Sequence, residues 1–147
     1  MILPAVLLLA QSDADFSKQL RIRCQQVTSA KVYSDAFYSE EGGDVVGSEL
    51  GILPNGDVLL YAYEGTPWSE PAVLKKAGGD QKNAIWTGNQ KLKTVHYPAE
   101  RTVEVVTPVR LEGSVIQNRF VGTVKWGDAA PTRVRLKVVP HLWGCKK

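Results

Sequence analysis

Apolar and polar positions alternate along much of this chain, the period of a β-strand with one buried face. In Leu20-Arg21-Ile22-Arg23-Cys24 the apolar side chains fall on one side and the arginines on the other. The same alternation returns in Arg133-Val134-Arg135-Leu136-Lys137-Val138. Between these segments Val103, Val105, Val109 and Leu111 share one parity, as do Phe120, Val124 and Trp126. Each run predicts a half-buried strand with a solvated outer face. Helical spacing is confined to Asp13–Leu20 and Ala72–Lys76.

Turn-forming residues divide the pattern. Leu53-Pro54-Asn55-Gly56-Asp57 places Pro, which presets φ, before Asn and Gly, which tolerate positive φ. It predicts a hairpin joining Glu49–Leu53 to Val58–Tyr63. Gly88-Asn89 predicts a turn from Ile85–Thr87 into Leu92–Tyr97, and Gly113-Ser114 and Gly127-Asp128 predict two further breaks. Residues 64–83 form the longest irregular stretch. The chain therefore reads as all-β, with about seven or eight short strands in a compact antiparallel barrel or a two-layer sandwich. A bond between the first and last parts of the chain would favour closure into a barrel.

The N-terminus modifies this picture. Ile2–Ala10 is a short apolar run that stops abruptly at Gln11-Ser12-Asp13. It suits the core of a signal peptide and is too short to cross a bilayer, although no Lys or Arg precedes it. The expectation is a signal peptide over residues 1–14, cleaved after Ala10 or Ala14, followed by one β-rich domain over residues 15–147. The alternative is an uncleaved first element buried in the core. Cys24 and Cys145 are the two cysteines and flank the domain, as a single disulfide would in an oxidising compartment. The alternative is a pair of buried thiols. No Cys follows the apolar run where a lipid anchor would need one, so the expectation is a soluble periplasmic or secreted protein with no transmembrane segment.

In its leader, its β pattern and a cysteine pair joining an early segment to the C-terminus, the chain resembles the small periplasmic lysozyme inhibitors. The resemblance implies a compact antiparallel barrel. The Ser-Gly-x-x-Tyr loop that such inhibitors present is missing, so no functional residue carries over.

Composition supports a folded core, with 44% hydrophobic and 22% charged residues. The net charge of +3 is too small to imply a specific nucleic-acid partner. Its distribution is uneven. Residues 1–90 carry 7 basic and 11 acidic side chains, net −4, and residues 91–147 carry 11 and 4, net +7. If the two end strands adjoin, Arg21, Arg23, Arg133, Arg135 and Lys137 merge into one basic patch able to meet an acidic polymer, anionic lipid or acidic protein. The alternative is a set of solvated strand faces whose charges resist edge pairing.

Candidate chemistry is sparse. The two histidines are His96 and His141. Gly47-Ser48-Glu49-Leu50-Gly51 lacks the spacing of a nucleophile elbow, and no zinc-binding or phosphate-cradling motif occurs, so no metal or cofactor is expected. Glu40, Glu41 and Asp44 gather three acids around Gly42-Gly43. Two could serve a glycosidase and three a calcium ion, but a solvated loop is the ordinary reading. Trp68, between Pro67 and Pro71, could anchor a partner or plug a barrel end. Leu59, Tyr61 and Tyr63 share a face and read as barrel wall. Together these features predict a non-catalytic exported binding module or inhibitor, its partner an unidentified protein or envelope polymer. The alternatives are a lipocalin-like carrier of an apolar ligand and a small hydrolase of envelope material using the Glu40/Glu41/Asp44 loop.

Overall fold

The computed structural model describes residues 18, 21–22, 24–41, 44–64, 71–96, 101–143 and 145. The expected signal peptide, Arg23 and Trp68 lie outside these residues. Nine strands follow in chain order: β1 (Lys31–Ser34), β2 (Phe37–Ser39), β3 (Asp44–Ile52), β4 (Val58–Glu64), β5 (Ala72–Gly79), β6 (Ala84–His96), β7 (Arg101–Ile116), β8 (Arg119–Trp126) and β9 (Thr132–Val139). All neighbours are antiparallel, and β1 pairs with both β3 and β9. Eight strands thereby close a barrel, which decides between the two expected architectures. The ninth, β2, continues along β3 in the register of β1, with Tyr33 opposite Leu50 and Phe37 opposite Val46. At the interruption the Asp35 side chain accepts the Ser48 N–H, keeping that donor satisfied between β1 and β2.

An eight-stranded barrel is just wide enough for side chains to fill it. The interior holds Tyr33, Leu50, Leu60, Leu74, Trp86, Leu111, Phe120 and Leu136, all buried. The Phe120 ring centroid lies 6.5 Å from that of Tyr33 and 6.0 Å from that of Trp86, so aromatics from three strands meet across the barrel. Trp86 donates its indole N–H to the Gly56 carbonyl at 2.8 Å, tying the core to the expected hairpin turn between β3 and β4. Burial holds the Tyr33 hydroxyl above its ordinary pKa of 10.0, because the phenolate would lose its hydration.

Four expectations are corrected. Leu20–Cys24 is not a strand, because its described positions Arg21, Ile22 and Cys24 are helical. Its alternation meets no neighbouring edge, since the places beside β9 are taken by β1 and β8. Ala72–Lys76 is not helical but belongs to β5, with Ala72 and Leu74 buried and Val73 and Lys75 exposed. Gly88-Asn89 is not a turn, and β6 runs through it unbroken. A Cβ on Gly88 would collide with the Val73 carbonyl, so this glycine serves close strand approach rather than reversal. Gly113-Ser114 likewise lies inside β7, where Gly113 faces Gly122 across the ladder and leaves room for the Phe120 ring.

The termini cover one side of the barrel. A second apolar cluster lies outside the wall formed by β1, β3 and β4 and contains Val27, Val32, Val45, Leu59, Tyr61 and Leu142, with Ala30, Trp143 and Cys145 against it. Cys24 and Cys145 are bonded across a separation of 121 residues, with Cα atoms 5.5 Å apart, and this staples the two covering segments together. Glu49, 1% exposed, accepts the Trp143 N–H on both carboxyl oxygens at 3.0 Å. Among the described residues no helix is long and apolar enough to cross a membrane.

Candidate functional site

The adjoining wall of β8 and β9 has no such cover among the described residues except at Val139, which packs against that cluster at the end of β9. On β8 and β9 the apolar residues Phe120, Val124, Val134 and Leu136 are buried, so the intervening residues face outward. Those outward positions include Arg119, Lys125, Arg133, Arg135 and Lys137, all exposed. Neither strand contains an acidic residue.

Register brings the cations together. Arg119 lies opposite Lys137, and Arg110 of β7 lies opposite Lys125. Directly opposed like charges destabilise a strand pair. The ion pairs found among the described residues are Lys75–Asp57 at 3.1 Å and Arg110–Glu112 at 3.7 Å. None of the five β8–β9 cations takes part in either. Glu112, the acid nearest these cations on the outward row of β7, is held by Arg110 and also accepts the Asn83 side-chain amide at 2.7 Å.

Within this field lies an exposed apolar residue, Val121, which is 38% accessible. Arg135 is directly opposite it, Thr123 and Arg119 flank it two residues along β8, and Arg133 and Lys137 are its diagonal neighbours on β9. Val121, Gly122, Thr123, Arg133, Val134 and Arg135 line an open groove of about 490 Å³. The arrangement offers several guanidinium and ammonium donors around an apolar floor. It can hold anionic oxygens by charge-assisted hydrogen bonds.

Three of the five basic residues singled out from the sequence, Arg133, Arg135 and Lys137, belong to this face. Arg21 is exposed on the helical segment before Cys24 and not on a strand beside β9. The partners that complete the face are Arg119 and Lys125. The parity that marked Phe120, Val124 and Trp126 as inward already implied that these two point outward. The parity of Val109 and Leu111 likewise implied that Arg110 points outward.

The remaining candidates do not assemble into a catalytic set among the described residues. Glu40 and Glu41 are exposed in the turn after β2, and Asp44 opens β3 opposite Ser39. His96 closes β6 opposite Arg101 at the far end of the long β6–β7 ladder. His141 lies after β9, with its Nδ1 2.9 Å from the Leu142 carbonyl oxygen. Among the described residues no group of three His, Cys, Asp or Glu side chains is placed to hold a metal ion. Comparison of the chain with protein-family models, curated proteins and solved structures returns no match.

Proposed function

We propose that this protein is a non-catalytic, exported binding module whose outer β8–β9 face engages a polyanionic partner outside the cytoplasm. The observation that carries the reading is the set of five exposed cations on two adjacent strands with no acid among them, three of them directly opposing other cations. An anion bridging those pairs would convert a repulsive face into a stabilised one. The filled interior, with Tyr33, Trp86 and Phe120 in contact, favours recognition on the outside over carriage of a ligand within. The disulfide and the apolar N-terminal run favour an oxidising compartment.

The test is fluorescence anisotropy with a labelled soluble polyanion, sulfated dextran, across a salt series. The wild-type protein binds with an affinity that falls steeply as salt rises, because charges separated by more than about 10 Å are screened at 0.1 M ionic strength. Replacing Arg119, Arg135 and Lys137 together by Gln abolishes binding. Equal binding by wild type and the triple variant would refute the assignment of this face.

A further inference from the structure

The groove around Val121 continues into an exposed apolar tip, and together they fit one kind of polyanion better than the others. Gln117 and Asn118 both have positive φ, 50° and 63°, and form the tight two-residue turn that joins β7 to β8. Immediately before the turn Val115 and Ile116 are exposed, Ile116 at 57%. Ile116 lies opposite Arg119 and diagonal to Val121 on the same outer face. Val138, also exposed, donates its backbone N–H to the Asn118 carbonyl and so borders the same tip from β9. Ile116 and Val121 thus lie on the outer face beside Arg119, Arg135 and Lys137, while Val115 and Val138, on the inward parity of Phe120 and Leu136, are exposed at the adjoining rim of the barrel.

A soluble acidic polymer would use the cations and leave these apolar groups in water. An anionic bilayer uses both, since its headgroup phosphates meet the basic rows while short apolar side chains enter the acyl boundary. We infer that the β7–β8 hairpin tip and the adjoining β8–β9 face dock this protein onto an anionic lipid surface. The apolar tip enters the interface and Arg119, Arg135 and Lys137 lie at the phosphates. The inference rests on the polyanion reading above and narrows it to a lipid partner. Charge complementarity selects the leaflet composition, and the apolar tip selects a bilayer over a soluble chain.

The experiment is co-sedimentation with phosphatidylcholine vesicles, with and without phosphatidylglycerol, alongside the sulfated dextran assay. Wild type sediments with the phosphatidylglycerol vesicles and not with pure phosphatidylcholine. The double variant Val115→Ser, Ile116→Ser, which leaves the groove residues untouched, loses most vesicle binding and keeps its affinity for sulfated dextran. Because both residues are exposed, folding survives these changes, and circular dichroism checks this. Each single Gln substitution at Arg119, Arg135 or Lys137 weakens vesicle binding about fivefold, the equivalent of about 1 kcal/mol per basic residue at such a surface. Binding to sulfated dextran without vesicle binding, or vesicle binding indifferent to the Ser pair, would overturn the lipid inference and leave the polyanion reading standing. Loss of both activities in the wild type would overturn both.

Discussion

The two outer walls of the barrel make an instructive contrast. On β3 and β4 both faces are buried. Leu50, Val58 and Leu60 point into the barrel, while Val45, Leu59 and Tyr61 point out under the terminal segments. On β8 and β9 one face is buried and the other carries five cations. Strands covered on both sides read as continuous apolar runs and half-covered strands as alternation. The segment Val58-Leu59-Leu60-Tyr61-Ala62-Tyr63 against Arg133-Val134-Arg135-Leu136-Lys137 displays that difference directly. The covered wall is devoted to stability and the bare wall accepts an electrostatic cost, and experiments can separate the two.

The largest expected effect is on the covered wall. Replacing Cys24 and Cys145 by Ser removes a cross-link spanning 121 residues, and chain entropy places its contribution at up to about 5 kcal/mol. Denaturant unfolding should show the loss, with hydrogen exchange rising first at Val27, Leu142 and the outer face of β3 rather than at β8. A uniform rise across the barrel would mean that the staple does not act through the covering segments. Glu49→Ala follows in size. It leaves the Trp143 N–H without its carboxyl acceptor, an expected cost of about 1–3 kcal/mol in the same unfolding assay.

Alkaline pH probes the core that both walls share. Tyr33 has a raised pKa in the fold, so above pH 10 the unfolded chain releases its phenolic proton more readily than the native one. The native state then holds more protons, and stability falls as pH climbs from the unfolded value through the folded one. Tyr33→Phe should flatten that decline in a pH series of unfolding midpoints. On the bare wall the effect is smallest and reversed in sign. Arg119→Gln removes a like-charge pair with Lys137 and should raise stability by a few tenths of a kcal/mol, within the range of cross-strand pair energies. Its rise should shrink at high salt, whereas the disulfide and Glu49 effects should persist.

The contrast also explains what the sequence could reveal. Alternation marked β8 and β9 correctly because each has one wet face, whereas on β7 it holds around Val109 and Leu111 but not at Val105, which is 44% exposed. The Leu53–Asp57 turn was legible because Asn55 and Gly56 have few other uses there. Leu20–Cys24 alternates just as clearly and yet is helical at its described positions, because no strand edge remains for it beside β9. Glycine misled at two places. Gly88 and Gly113 serve close backbone and ring packing inside long strands, a tertiary requirement that resembles a turn when viewed locally. The basic face was half legible. Its β9 row could be read from parity, but Arg119, Lys125 and Arg110 join it only through the register of β7 with β8 and β8 with β9. Nothing local signals that Glu49 would be buried against the C-terminal segment, since its acceptor role depends on Trp143, 94 residues away.

The central claim is that the bare wall is the recognition surface, and amide chemical-shift mapping tests it most directly. Titrating the isotope-labelled protein with sulfated dextran at low salt should shift amides of residues 119–125 and 133–137 and leave those of Val45, Leu59 and Tyr61 unmoved. Shifts confined to the covered wall, or scattered evenly over the barrel, would contradict it.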